Sequence, residues 1–250
     1  MLNIVIPMAG RGSRFLSAGY TVPKPLIPVC GRPMIEVVIN NLRPRCDHRF
    51  FFICLEEHVE TYSLLPKLQA YAPGASVICI EDVTAGAAST VLRAKEHIDS
   101  NDPLMIANSD QWVDVDVNDY LDKMMSNDID GLIMTMWAND PKWSFLRANP
   151  EGLVVDVVEK QVISNEATVG IYNFRKGGDF VMASENMISK NIRVNNEFYV
   201  APVFNELIQT GKKIGYWNIG REGEGMYGLG LPADLELFEN LSVAKKATSF

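Results

Sequence analysis

The chain has 250 residues, 47% of them hydrophobic and 22% charged, with a formal net charge of -8. That length and apolar content suit one soluble domain with a full core. The acidic balance excludes a nucleic-acid-binding or anionic-membrane face, since either needs a basic surface, and no apolar stretch is long enough to span a bilayer.

Residues 2–6 are a short apolar run and predict the first strand. Pro33 suits a first helical position, and Ile35, Val38, Ile39 and Leu42 then repeat at helical spacing up to the Arg43-Pro44 stop. A strand over 50–55, a helix over 56–71, a strand over 76–80, a helix over 87–98 and a strand over 103–107 continue an alternation that builds a parallel sheet with crossover helices. Asp116 reads as the cap of a helix with Leu121 and Met124 on its apolar face. The chain then turns β-rich, with strands over 132–137, 144–148 and 153–158, the last two joined by the turn Asn149-Pro150-Glu151-Gly152 into a hairpin. A strand over 168–174, a helix near 178–189, a short helix about 202–209, a strand over 213–219 and a final helix over 233–247 follow. No repeat or low-complexity linker divides the chain, so one domain is expected over 1–250, with an N-terminal half to residue 115 and a second half from 116.

Cys30, Cys46, Cys54 and Cys79 lack CxxC spacing and three of them lie in or beside apolar runs, which predicts reduced thiols in a cytoplasmic protein. His48, His58 and His97 lack metal-ligand spacing and are expected at the surface. The apolar start has no basic segment before it and runs into a functional loop, so no secretory leader is expected.

That loop is Pro7-Met8-Ala9-Gly10-Arg11-Gly12-Ser13-Arg14-Phe15, followed by Pro23-Lys24-Pro25-Leu26-Ile27-Pro28. Gly10 and Gly12 let the backbone turn tightly and set bare N–H groups against an anion, while Arg11, Arg14 and Lys24 add fixed positive charge. Two basic arms on one glycine-rich loop suit a triphosphate. A dinucleotide-binding turn would open directly into a helix and carry an acidic residue about twenty positions on. Neither feature is expected here: Cys30 stands at that distance from Gly10, and residues 17–33 are too rich in Pro and Gly for a helix. No Gly-Lys-Ser/Thr triplet closes the segment, which removes a Walker loop. Asn108-Ser109-Asp110 ends the fourth strand, where ligands sit in open α/β sheets and where a carboxylate can hold Mg²⁺ against triphosphate oxygens. Asp114-Val115-Asp116 has the DxD spacing of metal-binding glycosyltransferases, but Asp116 fits better as a helix cap.

The glycine-rich loop and the Pro-Lys-Pro-Leu segment resemble the sugar nucleotidyltransferases, also called nucleoside-diphosphate-sugar pyrophosphorylases. The resemblance implies an α/β fold, a Rossmann-like three-layer sandwich with a mixed, mostly parallel central sheet. It also implies transfer of a nucleoside monophosphate from a nucleoside triphosphate to a phosphorylated acceptor, releasing pyrophosphate, with Mg²⁺ as cofactor. The default acceptor is a sugar 1-phosphate and the product serves cell-surface polysaccharide synthesis. On this reading Met8, Ala9, Gly10, Arg11, Gly12 and Ser13 bind the nucleotide, Arg14, Lys24, Asp110 and Lys160 are catalytic, and Asp110 is the metal ligand.

Further segments extend the resemblance. Val158-Glu159-Lys160 is similar to the segment whose lysine contacts the acceptor phosphate, with Glu159 nearby, although Gln161 stands where the family often has Pro. The small residues Ala85, Gly86, Ala87 and Ala88 are similar to a base-recognition segment in which a flat base rests on the backbone, in the manner of the UTP- and CTP-using relatives. Gly170 lies in a strand resembling the wall of the acceptor pocket, and Glu197 in Asn196-Glu197-Phe198-Tyr199 resembles a reader of acceptor hydroxyls. One position departs: Gly228 stands where relatives commonly carry a second metal-binding aspartate, with Asp234, Glu222 and Glu224 as open replacements. Alternative readings are a cytidylyltransferase for a non-sugar phosphate, a glycosyltransferase of the same fold, and a non-catalytic nucleotide-binding regulator. Expected partners are the triphosphate and a phosphorylated small molecule, with no nucleic acid and no membrane; self-association into a homo-oligomer is left open.

Overall fold

Leu2–Pro7 is extended and buried on both faces: Ile4 and Ile6 point into one core, Val5 into the other. His48–Leu55 repeats the arrangement, with Phe50, Phe52 and Cys54 on one side and Phe51 and Ile53 on the other. A strand covered on both sides reads as a continuous apolar run, which is why these two segments are so legible. The computed structural model describes residues 1–126 and 128–250.

Ser76–Ile80, His48–Leu55, Leu2–Pro7 and Leu104–Ala107 lie side by side in parallel. Glu166–Phe174 then pairs antiparallel with Leu104–Ala107, followed by Gly131–Trp137, Ile214–Glu222, Gly225–Gly228 and Gln111–Val113. The expected hairpin forms between Ser144–Ala148 and Val154–Glu159, its turn closed by Gly152 N–H on the Asn149 carbonyl at 3.0 Å. Helices Met34–Leu42, Leu64–Tyr71 and Val117–Ser126 cover one face of the sheet, and Ala87–Val91, Gly177–Ser189 and Val203–Gln209 the other. This is the three-layer α/β sandwich with a mixed, mostly parallel sheet.

Several boundaries differ from the sequence reading. The 56–71 helix is two, Glu56–Tyr62 and Leu64–Tyr71, broken at Ser63 in the left-handed region (φ 50°). Pro66 explains the break, because a proline there has no N–H for the preceding turn and its ring collides with it. The final helix is also two, Pro232–Glu239 and Ser242–Thr248, and the 87–98 helix passes through a 3₁₀ turn at Leu92–Ala94. Pro33 is an N-cap with extended ψ of 135°, so Met34 is the first helical residue. A five-residue helix, Ser13–Ser17, opens directly after Gly12, against the expectation that the glycine loop would not do so. The short strands Gln111–Val113 and Gly225–Gly228 carry too few residues to show a period, and they pair with each other at the far edge of the sheet. The N-terminal half therefore contributes strands to both ends of one sheet.

A third apolar cluster lies off the sheet. It joins Phe15 of the Ser13–Ser17 helix and Ile27 to Trp112, Leu229, Leu235 and Phe238. Through it, the helices after residue 231 fix the glycine-rich loop against the segments flanking Asp110.

Candidate active site

The loop after the first strand is tethered at Met8, whose N–H donates to the Ile53 carbonyl at 2.9 Å. Gly12 takes the left-handed conformation (φ 62°), which favours glycine. A side chain built on Gly10 would meet open space, so nothing in the protein itself fills that side of the loop. The Gly12 carbonyl accepts from Phe15 and Leu16 to start the short helix, and buried Phe15 anchors it, leaving Arg14 exposed.

Pro23 and Pro25 set a 3₁₀ turn at Lys24–Leu26 that carries Lys24 toward the end of the Leu104–Ala107 strand. There Lys24 Nζ donates to Asp110 Oδ2 at 2.9 Å, each side chain about a quarter exposed (26% and 25%). The Asp110 carbonyl accepts from Leu229 N–H at 2.8 Å, and a Cβ on Gly230 would lie 2.4 Å from Asp110 Oδ2. Gly230 thus lets the backbone lie against the carboxylate, a role the sequence reading missed although the Gly-Leu-Gly spacing signals a close approach.

Of the three carboxylates open as replacements at Gly228, Asp234 is the one that comes within 4 Å of a Cβ built there. A Cβ on Gly228 would sit 3.8 Å from Asp234 Oδ2. Glu222 is bound to Lys142 at 3.0 Å, and Glu224 pairs with Arg221 at 3.3 Å on an exposed turn. Burial and then Glu222 raise the Asp234 carboxyl above its ordinary range, against the pull of Lys142 and Arg14. Among the described residues no cluster of three or more His, Cys, Asp or Glu side chains could hold a metal alone. Mg²⁺ binds through one or two carboxylates with substrate phosphates and water completing its octahedron. Asp110, a hard oxygen donor with solvent access, fits that part.

The DxD pair is spent elsewhere. Asp116 caps the Val117–Ser126 helix through Asn118 N–H at 2.9 Å and pairs with Arg45 at 2.8 Å, while Asp114 pairs with Lys246.

Arg11 lies 3.9 Å from Asp82, which brings the glycine loop beside the 81–90 segment. In that segment Phe198 N–H donates to the Ala85 carbonyl at 2.7 Å and Ala88 N–H to the Phe198 carbonyl at 2.9 Å. Gly86 has φ 121°, and a Cβ there would stand 2.5 Å from the Phe198 nitrogen. Of the main-chain groups expected to meet a base, the Ala85 carbonyl and the Ala88 N–H are bonded to Phe198, and glycine at 86 is required by the close approach of the Phe198 backbone. Ala87 alone of the Gly86, Ala87 and Ala88 trio lines the adjoining cavity.

That cavity, about 350 Å³, is bounded by Arg14, Asn108, Trp143, Glu159, Gly170 and Tyr199 among others. Gly170 has φ 81°, and its missing Cβ is where Asn108 Nδ2 packs, at 2.1 Å from the built position, so the group that approaches Gly170 is the Asn108 amide. Lys160 ends the Val154–Glu159 strand in the left-handed region (φ 56°), held by its N–H on the Trp143 carbonyl at 3.0 Å. Its ammonium donates to Tyr199 Oη at 2.6 Å and lies 4.8 Å from the ring centroid. The Tyr199 hydroxyl holds that ammonium in its charged form, raising the lysine's pKa. Glu159 is 7% exposed and accepts from Ser144 Oγ, and burial raises its carboxyl above the ordinary range. Asn195 and Asn196, both left-handed, turn the chain so that Glu197 is exposed near Tyr199 and Lys160. Sequence reasoning placed Tyr172 and Tyr199 in acceptor-pocket segments without giving either a role, and missed Lys142 and Trp143; Lys142-Trp143 precedes a strand and follows no period that would have marked it.

All four thiols are free, and burial is the leading cause that raises each, Cys54 to about 12. His97 is exposed and His48 and His58 are half-buried. No helix of the described residues is long and apolar enough to cross a membrane.

A family model described as Nucleotidyl transferase matches residues 4–216. Among curated relatives, the bifunctional protein GlmU of Methanococcus maripaludis is 22% identical over 228 residues, covering 87% of this chain and 51% of that protein. The chain thus spans about half the length of the curated relatives it matches first. A 2-aminoethylphosphonate cytidylyltransferase of Lancefieldella rimae is 55% identical over 40 residues, 16% of either chain. Among solved structures, a nucleoside-diphosphate-sugar pyrophosphorylase from Vibrio cholerae superimposes with a TM-score of 0.81 at 25% identity, covering 95% of this chain and all (100%) of that one.

Proposed function

The chain belongs to the nucleotidyl transferase family, and from that premise we propose that it transfers a nucleoside monophosphate from CTP or UTP to the phosphate of a small acceptor. The observation that carries this reading is that Arg14 of the glycine loop lines the same cavity as Glu159, Gly170 and Tyr199. Donor and acceptor groups therefore meet at one place, beside the Lys24–Asp110 pair that closes the glycine loop onto the strand ends.

An acceptor phosphate oxygen, placed by Lys160 and Arg14, attacks the α-phosphorus in line. A new P–O bond forms as the bond from the α-phosphorus to the bridging oxygen breaks, and pyrophosphate leaves with the electron pair. Lys24, Arg14 and the loop N–H groups stabilise the charge that develops on the leaving group. Asp110 would hold Mg²⁺, which when bound would neutralise triphosphate charge, and Asp234 would be the second carboxylate to support it. The acceptor phosphate is already ionised at neutral pH, so no general base is needed.

A sugar 1-phosphate is the acceptor class that the sugar-pyrophosphorylase neighbour supports, with the product feeding polysaccharide synthesis in the cytoplasm, where triphosphates are made. The 40-residue match to a cytidylyltransferase named for an aminoalkylphosphonate supports CTP and a second, non-sugar class. The test is pyrophosphate release with Mg²⁺, crossing ATP, GTP, CTP, UTP and dTTP against sugar 1-phosphates and small phosphorylated alcohols and amines. Release that requires one pyrimidine triphosphate together with one acceptor supports the proposal. No release with any pair, in a folded protein, overturns it.

A further inference from the structure

The acceptor cavity is not built evenly for hydroxyl groups. Its basic side chains, Arg14 and Lys142, are exposed, whereas Glu159 is buried with 7% exposure. One Glu159 oxygen accepts from Ser144 Oγ; the other takes no hydrogen bond among the described residues. The neighbouring hydroxyls are already engaged: Tyr172 Oη and Thr168 Oγ1 bond each other at 2.9 Å. Trp143 Nε1 is a buried donor there with no hydrogen-bond partner among the described residues, one donor against the several hydroxyls of a hexose. Three aromatic side chains, Trp143, Tyr172 and Tyr199, share the wall with small and aliphatic residues such as Ala87 and Val200. Tyr199 already carries one ammonium over its ring, that of Lys160, and Trp143 carries another, Lys142 Nζ at 4.8 Å from its ring centroid.

A carboxylate withdrawn from water is costly, and here the field of the neighbouring Lys160 ammonium offsets only part of that cost, since burial is still the leading influence on Glu159. Aromatic faces attract a desolvated ammonium. Charge is thus segregated by depth: cations at the mouth for an acceptor phosphate, one carboxylate among aromatic rings beneath it. We propose that the acceptor is a small zwitterion, a phosphate or phosphonate ester-type anion carrying an aliphatic ammonium, and that Glu159, walled by Trp143, Tyr172 and Tyr199, is the ammonium site. The proposal rests on the nucleotidyl-transfer reading above and decides between its two acceptor classes.

The test measures pyrophosphate release with Mg²⁺ and CTP or UTP for phosphoethanolamine and 2-aminoethylphosphonate, for propyl phosphate as a partner lacking the ammonium, and for glucose 1-phosphate. The ammonium acceptors should exceed propyl phosphate and glucose 1-phosphate in kcat/KM by about tenfold or more, the scale of a hydrogen bond to a charged group. Glu159→Gln should collapse the ratio of ammonium to propyl acceptor toward one, and Trp143→Leu should raise KM for the ammonium acceptor by about threefold to thirtyfold. A thermal transition for each variant separates recognition from folding, and Trp143, being half-buried at the cavity wall, gives a reading if Glu159→Gln fails to fold. Preference for glucose 1-phosphate, or equal use of propyl phosphate, overturns the ammonium site and leaves nucleotidyl transfer standing. No release with any acceptor overturns both.

Discussion

Replacing Asp110 by Asn keeps the shape of the side chain and an oxygen for Lys24 Nζ, but removes the negative charge at the strand end. The two partners lie 2.9 Å apart with 26% and 25% of their side chains exposed. Unit charges at about 3 Å attract by about 5–6 kcal/mol at an effective dielectric constant of about 20. Desolvation and screening offset most of that, leaving a net worth of about 1 kcal/mol for a pair with this much water access. For a chain of this length about 1 kcal/mol corresponds to a melting shift of about 2–4 °C. Turnover should suffer far more, because a preorganised charge at the triphosphate is worth about 100- to 1,000-fold, or about 2.7–4 kcal/mol. Asp110→Asn is therefore expected to melt within a few degrees of the parent while releasing pyrophosphate at least about a hundredfold more slowly under saturating substrates. Turnover within about threefold of the parent, at a matched melting temperature, would refute the placement of the metal and triphosphate at Asp110.

Gly86→Ala should lower stability by about 2 kcal/mol or more, read as urea midpoint, because the new Cβ would meet the Phe198 backbone at 2.5 Å in a backbone region that disfavours side chains. An unchanged midpoint would show that the 86–198 contact is not held so closely. Ser63→Gly should raise stability by about 0.5–1 kcal/mol, since Ser63 caps the Glu56–Tyr62 helix at φ 50° and glycine bears that conformation without penalty; a drop in melting temperature would contradict it. Glu159→Gln should make the free protein more stable at pH 7. The folded-state pKa of Glu159 lies above its ordinary 4.5, so the parent loses stability as pH rises through that raised value, and the variant, having no charge to bury, does not. The difference in melting temperature should shrink as pH is lowered through the raised value to about 4.5 and stay small below it, and a difference independent of pH would assign it to packing instead.

The inner strands of the parallel half, 2–7, 48–55 and 104–107, were legible because they are buried on both faces and can hardly be read otherwise. Arg14, Lys24 and Asp110 were legible for a different reason: glycine, proline and charge at fixed offsets from a strand are local signals. What was lost depended on partners distant in sequence. The Ala85–Ala88 segment looks permissive until Phe198 is seen bonded to it, and Gly170 looks like space for a ligand until Asn108 is found in that space. Trp143 and Tyr199 come from separate loops with no periodicity, so no reading of either alone would bring them to one cavity. Ser63 shows the same limit at short range, since its left-handed cap follows from Pro66 three residues later.

The cluster around Phe15 has a consequence for how the protein is made. Phe15 is fixed by Leu229, Leu235 and Phe238, more than 200 positions later in the chain. Contacts that far apart close late, after the loop between them has been ordered. A segment made more than 200 residues before its packing partners is thus among the last to take its working shape. We predict that chains stalled short of residue 230 protect the 48–55 strand and Met8 from amide exchange but leave residues 12–17 unprotected, so that triphosphate capture begins only once the whole sheet has been assembled.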